Sequence, residues 1–462
     1  MMADGEAAMT EQRAEGAEAF LEAYERASAP NGASWFAPFR KAARERFRSV
    51  GIPGPRDEKW KYTHLGGLAK QTFEMGSPDG GELTSVDLRE AQVADLDCPQ
   101  MVFVNGVFQE ELSSLPVPSA GIEVHSLSEA LLERQEELEA FFSQEPGFDF
   151  EIFADLNTAL FSCGSYIRIR RGTELRRPLY LIHLTSRQDG PFMSHPRNII
   201  HVEEGAGLCL VEDYCGPDDF VYLSNPVTEF QVEKGARVLH HRLVREGDAS
   251  FHISSLGVRQ ADDSAFSSSS FCLSGGMVRN DVVTLLGGEG IECDLNGLII
   301  GGGKQHIDNH TRIHHARANC NSRELYKAVL DDESHGVFNG KIYVAQDAQK
   351  THAIQTNQSL LLSPKAVMDT KPELEIYADD VKCSHGTTTG QLDEEAVFAL
   401  RTRGIDEQMA RGLLTLAFAG EVMDQVRLPA IAERVERAVA GKLPERFNLA
   451  DLVEVSDALQ EA

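Results

Sequence analysis

The chain has 462 residues, 42% hydrophobic and 25% charged, a composition that folds and stands well away from the low-hydrophobicity signature of disorder. A formal net charge of -28 opposes a phosphate backbone, because nucleic-acid binding rests on lysines and arginines releasing counterions. No run reaches the roughly 18–20 apolar residues that span a bilayer, and the eight cysteines form no CxxC pair, which argues against a disulfide framework and a zinc ribbon. The acidity leaves two readings open, a well-solvated surface and a halophilic host.

The N-terminus, MMADGEAAMTEQRAEGAEAF, is acidic and lacks the apolar core of a secretory signal, so a cytoplasmic chain with reduced thiols is expected. Residues 1–160 read as a helical and mixed domain. Ala17, Phe20, Leu21 and Tyr24 recur at helical spacing, and Phe36, Phe39, Ala43 and Phe47 form a second stripe, with Pro38 in its first turn. The segment RDEKWKYTHL (56–65) carries Trp60 among alternating charges. A strand-like MVFVNGVF (101–108) and a helical LSEALLERQEELEAFFSQ (127–144) follow.

Over residues 161–390 the texture becomes short β-rich runs separated by Gly, Asp or Asn, with no long helical pattern. Part of it repeats: Val202-Glu203-Glu204-Gly205-Ala206 matches Val232-Glu233-Lys234-Gly235-Ala236 at an offset of 30, and Ile169-Arg170-Arg171-Gly172-Thr173 precedes the first at 33. Such periods predict a solenoid, a β-helix of stacked rungs around a narrow core, with a β-sandwich as the rival. Solenoid ends expose strand edges, which helical termini could cap or a second solenoid could pair with.

Residues 391–462 return to helix, with Gly404 as a stop and Asp406 as the next N-cap. In IDEQMARGLLTLAFAGEVMDQV one stripe holds Ile405, Met409, Leu413 and Leu416 and another holds Leu414, Phe418 and Val422. One face packs on its own domain; the other needs another helix, such as IAERVERAVAG (431–441), or a partner protein.

Two segments carry metal-type chemistry. In LEIYADDVKCSHGTTTG (374–390), an extended backbone puts Val381, Cys383 and His385 on one face, with Cys383 and His385 roughly 6.5 Å apart, a sulfur and nitrogen pair suited to iron or zinc and equally to a buried core. In HIDNHTRIHH, the residues His306, His310, His314 and His315 would line up on a helix. The neighbouring Asn309, Thr311 and Ile313 favour a strand, where positions four apart lie about 13 Å apart and cannot share a metal. Nucleotide loops fail: GGGKQH has Gln305 where a Walker A loop needs Ser or Thr, and Leu298 where it needs Gly. There is no GxSxG elbow and no HExxH, and acidic pairs are too common here to imply glycosidase chemistry. A carbohydrate-active β-helix enzyme and a homodimeric binding protein with a structural metal remain the alternatives to a scaffold.

The long segments 350–405 and 304–330, together with RDEKWKYT (56–63), resemble the SufB/SufD family of iron-sulfur cluster assembly proteins, and CSHG followed by GQLDEE is similar to its D-type subunit. The resemblance implies a mainly β chain, a right-handed parallel β-helix flanked by helical regions, that is not itself an enzyme. It implies pairing with SufB through the β-helix and docking of the SufC ATPase on the C-terminal helices, where Leu414, Phe418 and Val422 gain a use. It also implies a transient iron-sulfur cluster at the SufB interface, to which His385 contributes as metal ligand with Cys383 assisting. A neutral imidazole competes for iron with protons more readily than a thiolate does, which suits a cluster meant to be handed on. A flavin in the complex and a homodimer of the isolated chain are left open by the resemblance.

Overall fold

The computed structural model describes residues 16–27, 33–77, 92–93, 96–116, 121–144, 148–175 and 177–441; the first fifteen residues and the last twenty-one lie outside them. The molecule is mainly β, a solenoid of about eight turns flanked by N- and C-terminal helices. From Gly164–Ile169 to Lys382–Gly390 the long strands alternate between two sheets, so each turn adds one parallel strand to each. This excludes the sandwich: in a solenoid a strand pairs with its counterpart one turn along, never with its chain neighbour.

The internal repeat is the register of the rungs. Val202 pairs with Val232 and Ile169 with Val202, the same residues that align in sequence. The repeated Gly sits at the corner that follows, where Gly205 and Gly235 both have φ of +65°. No atom crowds the missing Cβ of Gly235, so the left-handed backbone, not space, calls for glycine. One rung on, Asp263 takes the same corner at φ +56°, a conformation aspartate tolerates.

Between the sheets lies the inner core, built from residues such as Ile167, Ile200, Phe230 and Val258 on one side and Leu181, Leu210, Val238 and Leu295 on the other. The two ends differ. At the N-terminal end, Ile122–Ser126 pairs antiparallel with Gly164–Ile169, and Val107–Phe108 with Gln100–Val104, so short antiparallel strands close both sheets. At the C-terminal end, Val367–Ile376 and Lys382–Gly390 are the outermost strands of their sheets, each with one paired edge. The flanking helices do not cap this end. The C-terminal helices lie along the outer face of one sheet, with Val422, Ile431, Val435 and Val439 packed on Val211, Leu243, Phe271 and Leu298. The N-terminal helices cover the outer face of the other, where Phe20, Phe47 and Phe153 meet Met193, Leu223, Ile253 and Met277.

Arg279 pins the N-terminal region to the solenoid. Its fully buried guanidinium donates to Asp281 at 2.9 and 3.0 Å, to Asp308 at 2.9 Å and to the Lys59 carbonyl at 2.7 Å, and lies 3.8 Å from the Trp60 ring centroid. The Trp60 indole N–H in turn donates to Glu151 at 3.2 Å. The charged segment around Trp60 is therefore a clamp, with the tryptophan as its buried plate.

Candidate functional site

The final strand, Lys382–Gly390, is positioned by the turn before it. Lys350 adopts φ +62°, its N–H donates to the Asp380 carbonyl at 2.7 Å and its ammonium pairs with the Asp380 carboxylate; the Gln349 side chain accepts from the Asp380 N–H at 3.0 Å. Cys383 then pairs with Ala353 and His385 with Gln355. Ala353 and Gln355 are buried, so strand alternation places Cys383 and His385 on the inner side of the sheet, with Lys382 and Ser384 outward.

Their surroundings nevertheless differ. Cys383 is half-buried against the last apolar cluster, with Ile342, Val344, Ala353 and Ala378, and burial pushes its thiol pKa up. His385 is exposed, because among the described residues no further turn lies above it. Thus the final strand carries inward chemistry at an open end, one thiol sheltered and one imidazole uncovered. On and just after the other outermost strand three apolar side chains are exposed: Val367 47%, Ile376 39% and Tyr377 60%. Unpaired backbone with exposed apolar side chains beside it is the composition of a surface that pairs with another strand.

The histidine-rich segment is the strand His306–His315. His306, Asp308, His310 and His314 face outward, while His315 is buried within and bonds Ser322 at 2.9 Å. His306 contacts the Thr63 hydroxyl at 2.8 Å and Asp308 accepts from that hydroxyl at 2.5 Å, so this segment holds the N-terminal region in place, while His310 pairs with Asp308 within the strand at 2.9 Å. Among the described residues no group of three or more His, Cys, Asp or Glu could hold a metal within this chain.

On the C-terminal side, Gly404 (φ +91°) ends Glu394–Arg401, and Asp406 caps Glu407–Met423, accepting from the N–H groups of Gln408 and Met409 at 3.0 Å. The face buried on the solenoid lies between the two expected stripes, at Gly412, Thr415 and Ala419, with Val422 of the second stripe at its edge. Val422 is inside, Phe418 is half-buried beneath the Lys327 ammonium, 4.4 Å from its ring centroid, and Leu414 is partly exposed. The prominent surface residue is instead Phe398, 65% exposed on Glu394–Arg401. Small residues let the helix approach the sheet closely, and apolar periodicity does not register them.

The family profile described as SUF system FeS cluster assembly, SufBD core domain, matches residues 183–418, and the one described as SufBD protein N-terminal region matches 16–181. The chain belongs to the SufB/SufD family. Among similar SufBD relatives, the iron-sulfur cluster assembly protein SufD of Escherichia coli is 34% identical over 86% of this chain and 90% of its own length. A SufBD family protein of Synechocystis is 32% identical over 87% and 90%, and SufD of Bacillus subtilis 22% over 89% and 94%. The SufBD core profile spans most of the solenoid and ends within Glu407–Met423, so the open end and its histidine lie inside the shared unit. No helix among the described residues is long and apolar enough to cross a membrane.

Proposed function

We propose that this chain is a non-catalytic scaffold subunit of the SUF iron-sulfur cluster assembly system, acting in the cytoplasm. Its open solenoid end pairs with the SufB subunit, and His385, assisted by Cys383, faces a nascent cluster held between the two. The observation that carries this reading is the final strand Lys382–Gly390: a free edge bearing an exposed imidazole on its inner side, with Val367, Ile376 and Tyr377 exposed at the ends of the other outermost strand. A ligand set completed only across an interface agrees with described residues that bring no three ligands together on their own. The SufC ATPase docks on the C-terminal helices, for which Phe398 and Leu414 supply accessible apolar contact, while Val422 and Phe418 hold those helices to the solenoid. The cluster is cargo, assembled and passed on.

The test is anaerobic reconstitution of the complex co-expressed with SufB and SufC, comparing the parent with His385→Ala by iron and sulfide content. Assembly in both with loss of cluster in the variant supports the reading. Normal filling of the variant removes His385 as a ligand and reduces this subunit to architecture and ATPase docking.

A further inference from the structure

One buried acid in the solenoid has no use in the reading above. Along the inner face of one sheet, neighbouring rungs stack Leu295, Glu324, Gln355 and His385 in a single column. Adjacent rungs lie about 4.8 Å apart. Glu324 and Gln355 are 2% and 1% exposed, and the Gln355 Nε2 donates to Glu324 Oε2 at 2.5 Å. The other inner-face glutamate, Glu212, has Arg242 at 2.7 Å, His240 at 3.1 Å and the hydroxyl of Thr228 at 2.5 Å. Among the described residues no cation pairs with Glu324, and burial pushes its carboxyl up to about 7, against the pull of the Gln355 amide.

The Gln355 Nε2 is turned to Glu324 as donor, which leaves the carbonyl end of the amide to another partner. The N–H₂ end turns down, and the carbonyl is left pointing elsewhere. That carbonyl, Gln355 Oε1, is buried with no partner, as is Glu324 Oε1. Room for the amide comes from the facing sheet: a Cβ on Gly340 would sit 2.1 Å from Gln355 Nε2 and 2.8 Å from its Cδ. A glycine inside a strand weakens it and here marks that close approach. A buried acid and a glycine opposite thus leave one amide carbonyl unpartnered in the rung next to the one that holds His385.

We infer that Gln355, oriented by Glu324, is the positioning residue for His385: its carbonyl accepts the ring N–H and leaves the other ring nitrogen's lone pair free toward the cluster site. This rests on His385 being a ligand. Metal-bound histidines are commonly held through their second nitrogen in this way, and loss of that partner weakens metal binding about 10-fold or more.

The experiment uses the complex with SufB and SufC, loaded anaerobically with ferrous iron and sulfide, and reads iron affinity by chelator competition. Four chains are compared: parent, His385→Ala, Gln355→Met, and the exchange Glu324→Gln with Gln355→Glu. Gln355→Met keeps the volume and removes the acceptor, so a loss of about 10-fold is expected. The exchange returns a carboxylate oxygen beneath His385 with an amide beneath that, and recovers most of the affinity. A packing role orders them the other way, with Met tolerated and the buried exchange harmful. If His385→Ala loses iron while Gln355→Met keeps it, the positioning role is overturned and the ligand role stands. If both keep it, the ligand reading falls and this inference with it.

Discussion

The clamp at Arg279 lends itself to a quantitative test. In Arg279→Met, Asp281 and Asp308, which are 5% and 1% exposed, lose their common cation, and the Trp60 face loses its guanidinium. Removing one partner of a buried ion pair costs about 3–5 kcal/mol, because the remaining charge stays desolvated and uncompensated. Only part of that is returned by the methionine's apolar contacts with Trp60. Urea unfolding of the purified chain should therefore show Arg279→Met less stable by about 3 kcal/mol or more. Because the clamp joins the N-terminal region to the solenoid face, limited proteolysis should cut first near residues 56–63. A double-mutant cycle with Asp308→Asn should give a coupling of about 1–3 kcal/mol, since the neutral amide removes the orphaned charge. A variant within about 1 kcal/mol of the parent, with unchanged proteolysis, would refute the clamp and make the Trp60 segment a passive cover.

Two further outcomes follow from burial and from the open edge. His183 is stacked between Phe103 and Tyr214, with ring centroids 4.7 and 4.5 Å away, neither ring nitrogen has a partner, and burial pushes its pKa down to about 4. The unfolded chain takes up a proton there near pH 6.5 that the folded chain refuses, so the stability contribution is full above that pH and is lost as pH falls toward 4. At pH 5 the loss is about 2 kcal/mol, and His183→Phe should flatten the slope between pH 7 and 5 in denaturant titrations; an unchanged slope would sink the assignment. At the edge, Ile376→Lys with Tyr377→Lys should leave stability within about 0.5 kcal/mol, since both side chains are exposed, yet weaken association with SufB or with a second copy. Sedimentation velocity checks this, and unchanged association would place the interface elsewhere.

Much of the fold was legible because it repeats. Val202 and Val232 occupy equivalent positions in the chain and in the ladder, and the corner glycines keep their spacing because each turn must reverse the backbone at the same place. The histidine strand could be read from its β-favouring neighbours, and the cap at Asp406 from the residue type. The helical face at Gly412, Thr415 and Ala419 was not legible: it is buried through closeness to the sheet, and small residues leave no apolar stripe. The lone Glu324 and the Arg279 clamp were equally hidden, since in a chain with 72 acidic residues a carboxylate says nothing of its burial.

By itself, then, the sequence determined the solenoid, its helical flanks, the absence of a nucleotide loop and the family resemblance, all carried by local patterns of period, turn chemistry and motif. Only the tertiary structure decided which end of the solenoid stays open, which helix face is spent on the solenoid, and that Glu324 and Gln355 stand in line beneath His385. The physical reason is that these depend on which residues meet across rungs some thirty positions apart in the chain, where burial and pairing are set by stacking and not by any neighbour in sequence.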